Sequence, residues 1–170
     1  MRRTVIAGLV AFAITGSTGA FAQSEFSATM GGDQEVPPVV TDGFGLATFD
    51  VNIAGGVVGV NYSLTVNNVR QAFMAHIHCG AAGTNGPIAV WLAGRAAAPA
   101  NVGYDLNGPW IGSAKFTEAN IVAGNGCGDD IGSLLNAMAA GRTYVNVHTV
   151  PNGGGEIRGQ IAQVAPLSLP

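Results

Sequence analysis

The sequence predicts a single all-β domain of short antiparallel strands, with one short helix near residues 130–140. Two observations carry this expectation. Val, Ile, Thr, Tyr and Phe recur in short runs broken by Gly, Asn and Pro clusters, with 26 Gly and 8 Pro among 170 residues, the punctuation of strands and turns. Only the stretch with Ile131, Leu134, Leu135 and Met138 places apolar residues at the i, i+3, i+4, i+7 spacing of an amphipathic helix.

The chain begins with Arg2 and Arg3, an apolar run over 5–14, a small-residue stretch over 15–19, and Ala20-Phe21-Ala22 before Gln23. This pattern reads as a secretory signal peptide, residues 1–22, cleaved after Ala22. The apolar run is shorter than the ~20 residues a membrane span needs, and no other segment of the chain supplies one. The expected mature protein has no membrane span and is periplasmic or secreted. Its domain, residues 23–165, is long enough for one core and too short for two, and residues 166–170 form a tail. Loss of Arg2 and Arg3 takes the formal charge from -3 to about -5. A mildly acidic chain without a basic stripe is a poor nucleic-acid binder.

The first strand is expected over 25–30, followed by a turn at Gly31-Gly32-Asp33 and the stiff Val36-Pro37-Pro38. Strands over 44–53 and 57–66 flank Ala54-Gly55-Gly56, which has the length and chemistry of a hairpin loop. In the first, Ala47, Phe49 and Val51 alternate with Leu46, Thr48 and Asp50; in the second, Val58, Val60, Tyr62 and Leu64 share a face. Each has one buried side and one wet side. Strands over 73–78 and 88–92 follow, joined by a Gly-rich loop over 79–87 that lacks the Lys-Ser/Thr of a phosphate-binding loop. Residues 93–109 read as irregular and 111–116 as a short strand. The helix has Asp129 or Asp130 to cap its start and Gly141 to end it, and is expected to pack on the end of the barrel. Strands over 142–149 and 156–163 close the domain, separated by Pro-Asn-Gly-Gly-Gly.

There are two cysteines, Cys79 and Cys127. An exported chain meets an oxidising compartment, so they are expected to form one disulfide. Closing a loop of nearly fifty residues stabilises a fold by roughly 4 kcal/mol in the chain-entropy model. The alternative is that Cys79, directly after His78, serves as a thiolate metal ligand.

All three histidines lie in strands. The two-residue period puts Met74, His76 and His78 on one face, with Phe73, Ala75 and Ile77 on the other. Likewise Tyr144, Asn146 and His148 oppose Val145 and Val147. If the aliphatic faces define the core, all three imidazoles stand on the outer surface of the sheet. A His-x-His pair on a strand spans about 7 Å between Cα atoms, so one ion can take a nitrogen from each. Three neutral imidazoles with a vacant fourth position suit copper or zinc. The other reading is structural: His76 or His78 ties down the 80–87 loop, and His148 the turn over 151–155. Glu156 and Arg158, on one face of the last strand, are expected as a surface ion pair worth under about 1 kcal/mol; their functional alternative is support of an imidazole. Ser113, Ser133 and Ser168 lie in no nucleophile elbow, and no dinucleotide fingerprint follows a strand.

Ala75-His76-Ile77-His78 with Gly80, Gly83 and Gly86-Pro87, and Tyr144-Val145-Asn146-Val147-His148-Thr149 with Gly155-Glu156-Ile157-Arg158-Gly159-Gln160-Ile161, resemble a CHRD (chordin-type) domain. The segment from Met30 through Pro38, with Gly45, Ala47 and Thr48, matches that family's opening, so the resemblance covers essentially the whole mature chain. It implies an antiparallel Greek-key barrel or sandwich. It also implies an extracellular setting: animal chordin binds growth factors, and many bacterial members are exported single domains. A fainter similarity is to copper-zinc superoxide dismutase, where a His-x-His strand precedes a Gly-rich loop held by a disulfide. By that analogy His76, His78 and His148 hold copper, but no histidine remains for a bridging ligand or a zinc site. The leading expectation is a non-catalytic extracytoplasmic binding or structural module whose partner is a protein or a metal ion. The alternatives are a copper or zinc binding protein using His76, His78 and His148, and a copper-only redox enzyme resembling superoxide dismutase. Likeness of fold alone does not confer that reaction.

Overall fold

Nine strands form one antiparallel sheet among the residues described by this computed structural model, 25–94 and 110–164. They are β1 (Glu25–Gly31), β2 (Phe44–Ala54), β3 (Val57–Asn67), β4 (Ala72–Cys79), β5 (Ile88–Ala93), β6 (Trp110–Thr117), β7 (Thr143–Thr149), β8 (Ile157–Gln160) and β9 (Ala162–Gln163). The segments read as signal peptide and tail lie outside the described residues, as does most of the irregular 93–109 stretch.

β2 and β3 pair without a break from Phe44↔Asn67 to Ala54↔Val57. Gly55 and Gly56, which join them, have φ of 59° and 79°. Left-handed values at both positions match the twist of the flanking strands, and glycine adopts them without steric cost. The alternation expected from the sequence is present: Ala47, Phe49 and Val51 are buried while Leu46, Thr48 and Asp50 are exposed. In β3, Val60, Tyr62 and Leu64 are buried and Val58 packs against the same core.

The sheet runs β5-β4-β7-β8-β1-β2-β3-β6, with β9 pairing β1. β7, far along the chain, returns to the free side of β4, which is the long connection of a Greek key. The two ends of this order come together. Val90 bridges to Ile121, Val122 N–H donates to Ala89 at 2.9 Å, and the Tyr62 hydroxyl of β3 donates to Leu92 O of β5 at 2.6 Å. The sheet is therefore a nearly closed barrel, which leaves little unpaired edge. Its interior holds Phe26, Met30, Phe49, Leu64, Ile77, Leu92, Phe116, Val145, Val147 and Ile157, each buried.

The helix, α1 (Ile131–Ala139), begins where expected, with the Asp130 carboxylate accepting from Ser133 N–H at 2.8 Å. Its Leu134, Ala137 and Met138 join the barrel core. The strand expected over 156–163 is two strands. At Ile161 the backbone N–H turns to Thr143 O, and the chain then leaves β7 to pair with β1 through Phe26↔Gln163 and Ser27↔Ala162. A change of neighbour in mid-run leaves no mark on the hydrophobic period.

Candidate metal centre

β4 and β7 are neighbours, and their register sets His78 opposite Tyr144, His76 opposite Asn146 and Met74 opposite His148. Ala75, Ile77, Val145 and Val147 point into the core, so the imidazoles project from the other side of the sheet. There the three histidines meet. Ring centroids lie 5.3 Å apart for His76–His78, 4.8 Å for His76–His148 and 6.3 Å for His78–His148. One nitrogen from each lies within 4.8 Å of the others. Nitrogens bound to one metal at ~2.1 Å stand no more than about 4.2 Å apart, a difference that small side-chain rotations can close.

The face of the histidines was read correctly from the sequence, but that of Phe73 was not: a register shift between Ala72 and Met74 buries Ala72 in its place and sets the Phe73 ring beside His148. The exposure of the histidines was also misread. His76 is 1 % exposed and His148 7 %. Two loops and an aromatic side chain fold back over the sheet. Gly86 O of the loop after β4 accepts from His78 Nδ1 at 2.8 Å, and Gly153 O of the loop after β7 accepts from His148 Nδ1 at 3.0 Å. Trp91 of β5 stands edge-on to His76 with centroids 4.1 Å apart. Both loops that the structural reading assigned to histidines are thus held by them.

The same bonds settle the tautomers. A carbonyl only accepts, so Nδ1 carries the proton in His78 and His148, and Nε2 carries a lone pair. Those two Nε2 atoms, and both nitrogens of His76, are buried without a hydrogen-bond partner. A metal-ligating histidine characteristically donates its other ring N–H to a carbonyl or carboxylate. Burial holds the His76 pKa down to about 3, helped by the other two histidines. It also lowers those of His78 and His148, against the opposing pull of their carbonyl partners. All three imidazoles are neutral at pH 7, the form in which they ligate.

Beside the cluster runs a stack that sequence reasoning missed. Tyr144 lies 6° from parallel with His78 at 4.9 Å between centroids, and the Arg158 guanidinium lies 3.4 Å over the Tyr144 ring. Arg158 and Glu156 are not the expected surface ion pair. They are 1 % and 5 % exposed and take separate partners. Arg158 donates to Ala81 O, Thr84 O and Asn85 Oδ1, clamping the loop that covers His78. Glu156 accepts from Thr41, Thr149 and Asn152. An ion pair drawn from strand alternation alone cannot foresee loops that close over the sheet. Glu35 enters from the turn after β1 to accept from Asn146 Nδ2 at 2.6 Å. Burial raises its pKa to about 7, against the lowering effects of Arg158 and of the Asn146 bond.

Cys79 and Cys127 form the expected disulfide, with Cα atoms 5.7 Å apart, so Cys79 is not available as a thiolate ligand. The bridge pins the chain at the residue after His78. Trp91 could have been found, since it alternates with the core residues Val90 and Leu92; Glu35 carries no such signal.

No curated protein and no solved structure is found to match the chain. The family model described as CHRD domain matches residues 26–161, which takes in both histidine motifs, the covering loops, the disulfide and every strand but the last. The chain belongs to the CHRD domain family.

Proposed function

We propose that this protein is an extracytoplasmic CHRD-domain module that holds a transition-metal ion, copper or zinc, through His76, His78 and His148. One observation carries the reading: four buried ring nitrogens of three converging imidazoles have no hydrogen-bond partner. An unpaired buried polar group costs about 1–3 kcal/mol, and three histidines gathered in one place multiply that cost unless something binds them. An ion supplies the missing partner. The donor set contains no carboxylate oxygen, which disfavours calcium and magnesium and suits copper or zinc. With His76 almost wholly buried, the arrangement favours holding an ion over turning over a substrate.

The disulfide and the signal-like N-terminus support work outside the cytoplasm. No helix among the described residues is long and apolar enough to cross a membrane. The test is isothermal titration of the mature protein with Cu(II) and Zn(II), alongside variants with Ala at each histidine. One ion per chain, weakened at least tenfold by each substitution, is the expected result. No uptake of either ion, and of Cu(I), at neutral pH refutes it.

A further inference from the structure

We infer that the centre selects a monovalent soft ion, cuprous copper, over divalent ions. The inference rests on the reading of the three histidines as ligands and adds the charge of the ion. Imidazole by itself does not choose, since it suits zinc and copper alike. The surroundings do.

The ligand set is three imidazoles and brings no negative charge. Two buried carboxylates, Glu156 and Glu35, are engaged by other partners: Glu156 is held by Thr41, Thr149 and Asn152, and Glu35 by Asn146. The sole thiol pair is closed as a disulfide. No ligand atom therefore neutralises an ion held in this buried place. The cost of burying a charge grows as its square, so a divalent ion costs about four times as much as a monovalent one.

A fixed charge beside the cluster, the Arg158 guanidinium, has the wrong sign for a cation. His78, Tyr144 and Arg158 stand on β4, β7 and β8, which are consecutive in the sheet, and the guanidinium reaches the cluster through the Tyr144 ring. Its repulsion doubles from a monovalent to a divalent ion. Aromatic rings flank each ligand: Trp91 beside His76, Phe73 beside His148 at 6.5 Å, and Tyr144 beside His78. Rings of this kind present electron-rich faces and no anion. A three-histidine zinc site keeps a fourth position for water, whereas a cuprous ion is content with three donors.

The deciding experiment is competition on the mature protein. Cu(I) is loaded anaerobically with ascorbate, which leaves the disulfide closed, and its affinity is read against the chromophoric chelator bicinchoninate; Zn(II) is then added. The expected result is one Cu(I) per chain that a hundredfold excess of Zn(II) does not displace. Displacement by equimolar Zn(II) overturns the inference while leaving the metal centre standing. Uptake of no ion at all removes both. Arg158→Met adds a second reading where circular dichroism shows it folded: losing the cation should raise Zn(II) affinity by about the square of the factor for Cu(I), for instance tenfold against threefold. Equal factors for the two ions refute the charge argument.

Discussion

Replacing His76 by Leu separates a metal ligand from a packing residue, because the two roles predict opposite signs in the absence of metal. His76 is 1 % exposed, and neither ring nitrogen has a partner. Leucine removes that unpaired polarity, worth about 1–3 kcal/mol. It gives up the edge-on contact with Trp91, worth about 0.5–1.5 kcal/mol. The metal-free His76→Leu protein should therefore be more stable than wild type by about 1 kcal/mol, or roughly 2–4 °C in melting temperature for a domain of this size. With metal the order inverts. An ion present at a hundred times its dissociation constant stabilises the native state by about 2.7 kcal/mol, and the variant loses most of this. The assay is thermal and urea unfolding of both proteins, once in chelator and once with Cu(I) or Zn(II). A variant destabilised by roughly 2 kcal/mol or more in chelator, the cost of a disrupted core, would show that the imidazole is structurally satisfied and refute the reasoning.

Further expectations concern the scaffold around the cluster. His76 has a folded pKa of about 3 against an ordinary 6.5, so the unfolded chain binds more protons between these values; its contribution is full above pH 6.5 and is lost as pH falls toward 3, which urea midpoints measured across that window should show. Glu35 works the other way: its folded pKa of about 7 lies above the ordinary 4.5, so it favours the fold at low pH and that contribution is lost as pH rises through 7. Glu35→Gln keeps an acceptor for Asn146 and should gain on wild type between pH 5 and pH 8, with no such gain counting against the assignment. Gly86→Ala would drive a Cβ into the Cys79 carbonyl oxygen and displace the Gly86 O that orients His78; metal affinity should fall by about 10–100-fold, as for lost support of a ligand, read by the same titration. Removing the disulfide with Cys79→Ser and Cys127→Ser should cost roughly 4 kcal/mol in urea unfolding.

The sequence by itself determined the parts of this protein that depend on neighbours along the chain. Alternation at period two identifies the inner and outer faces of β2, β3 and β7, and of β4 from Met74 onward, because successive side chains of a strand must point to opposite sides. It therefore places His76, His78 and His148 away from the core before any contact is known. The i, i+3, i+4, i+7 spacing and the Asp130 cap locate α1 for the same local reason. Two cysteines allow one intramolecular pairing, and the bridge between Cys79 and Cys127 is the result.

What only the tertiary structure decided is non-local. That His148 stands against His76 follows from β7 lying beside β4, a Greek-key return across some seventy residues that leaves no trace in local period. The burial of the cluster depends on the 80–87 and 150–155 loops, whose backbone carbonyls bind the imidazoles, and loops of Gly, Asn and Pro carry no hydrophobic signal of where they fold. Arg158 and Glu156 look like surface charges on a half-wet strand until those loops close over them; buried, each must find its hydrogen bonds in the loops themselves. The chemistry of three neutral imidazoles was legible residue by residue, but the low-dielectric enclosure and the nearby cation that tune it arise only when the barrel nearly closes.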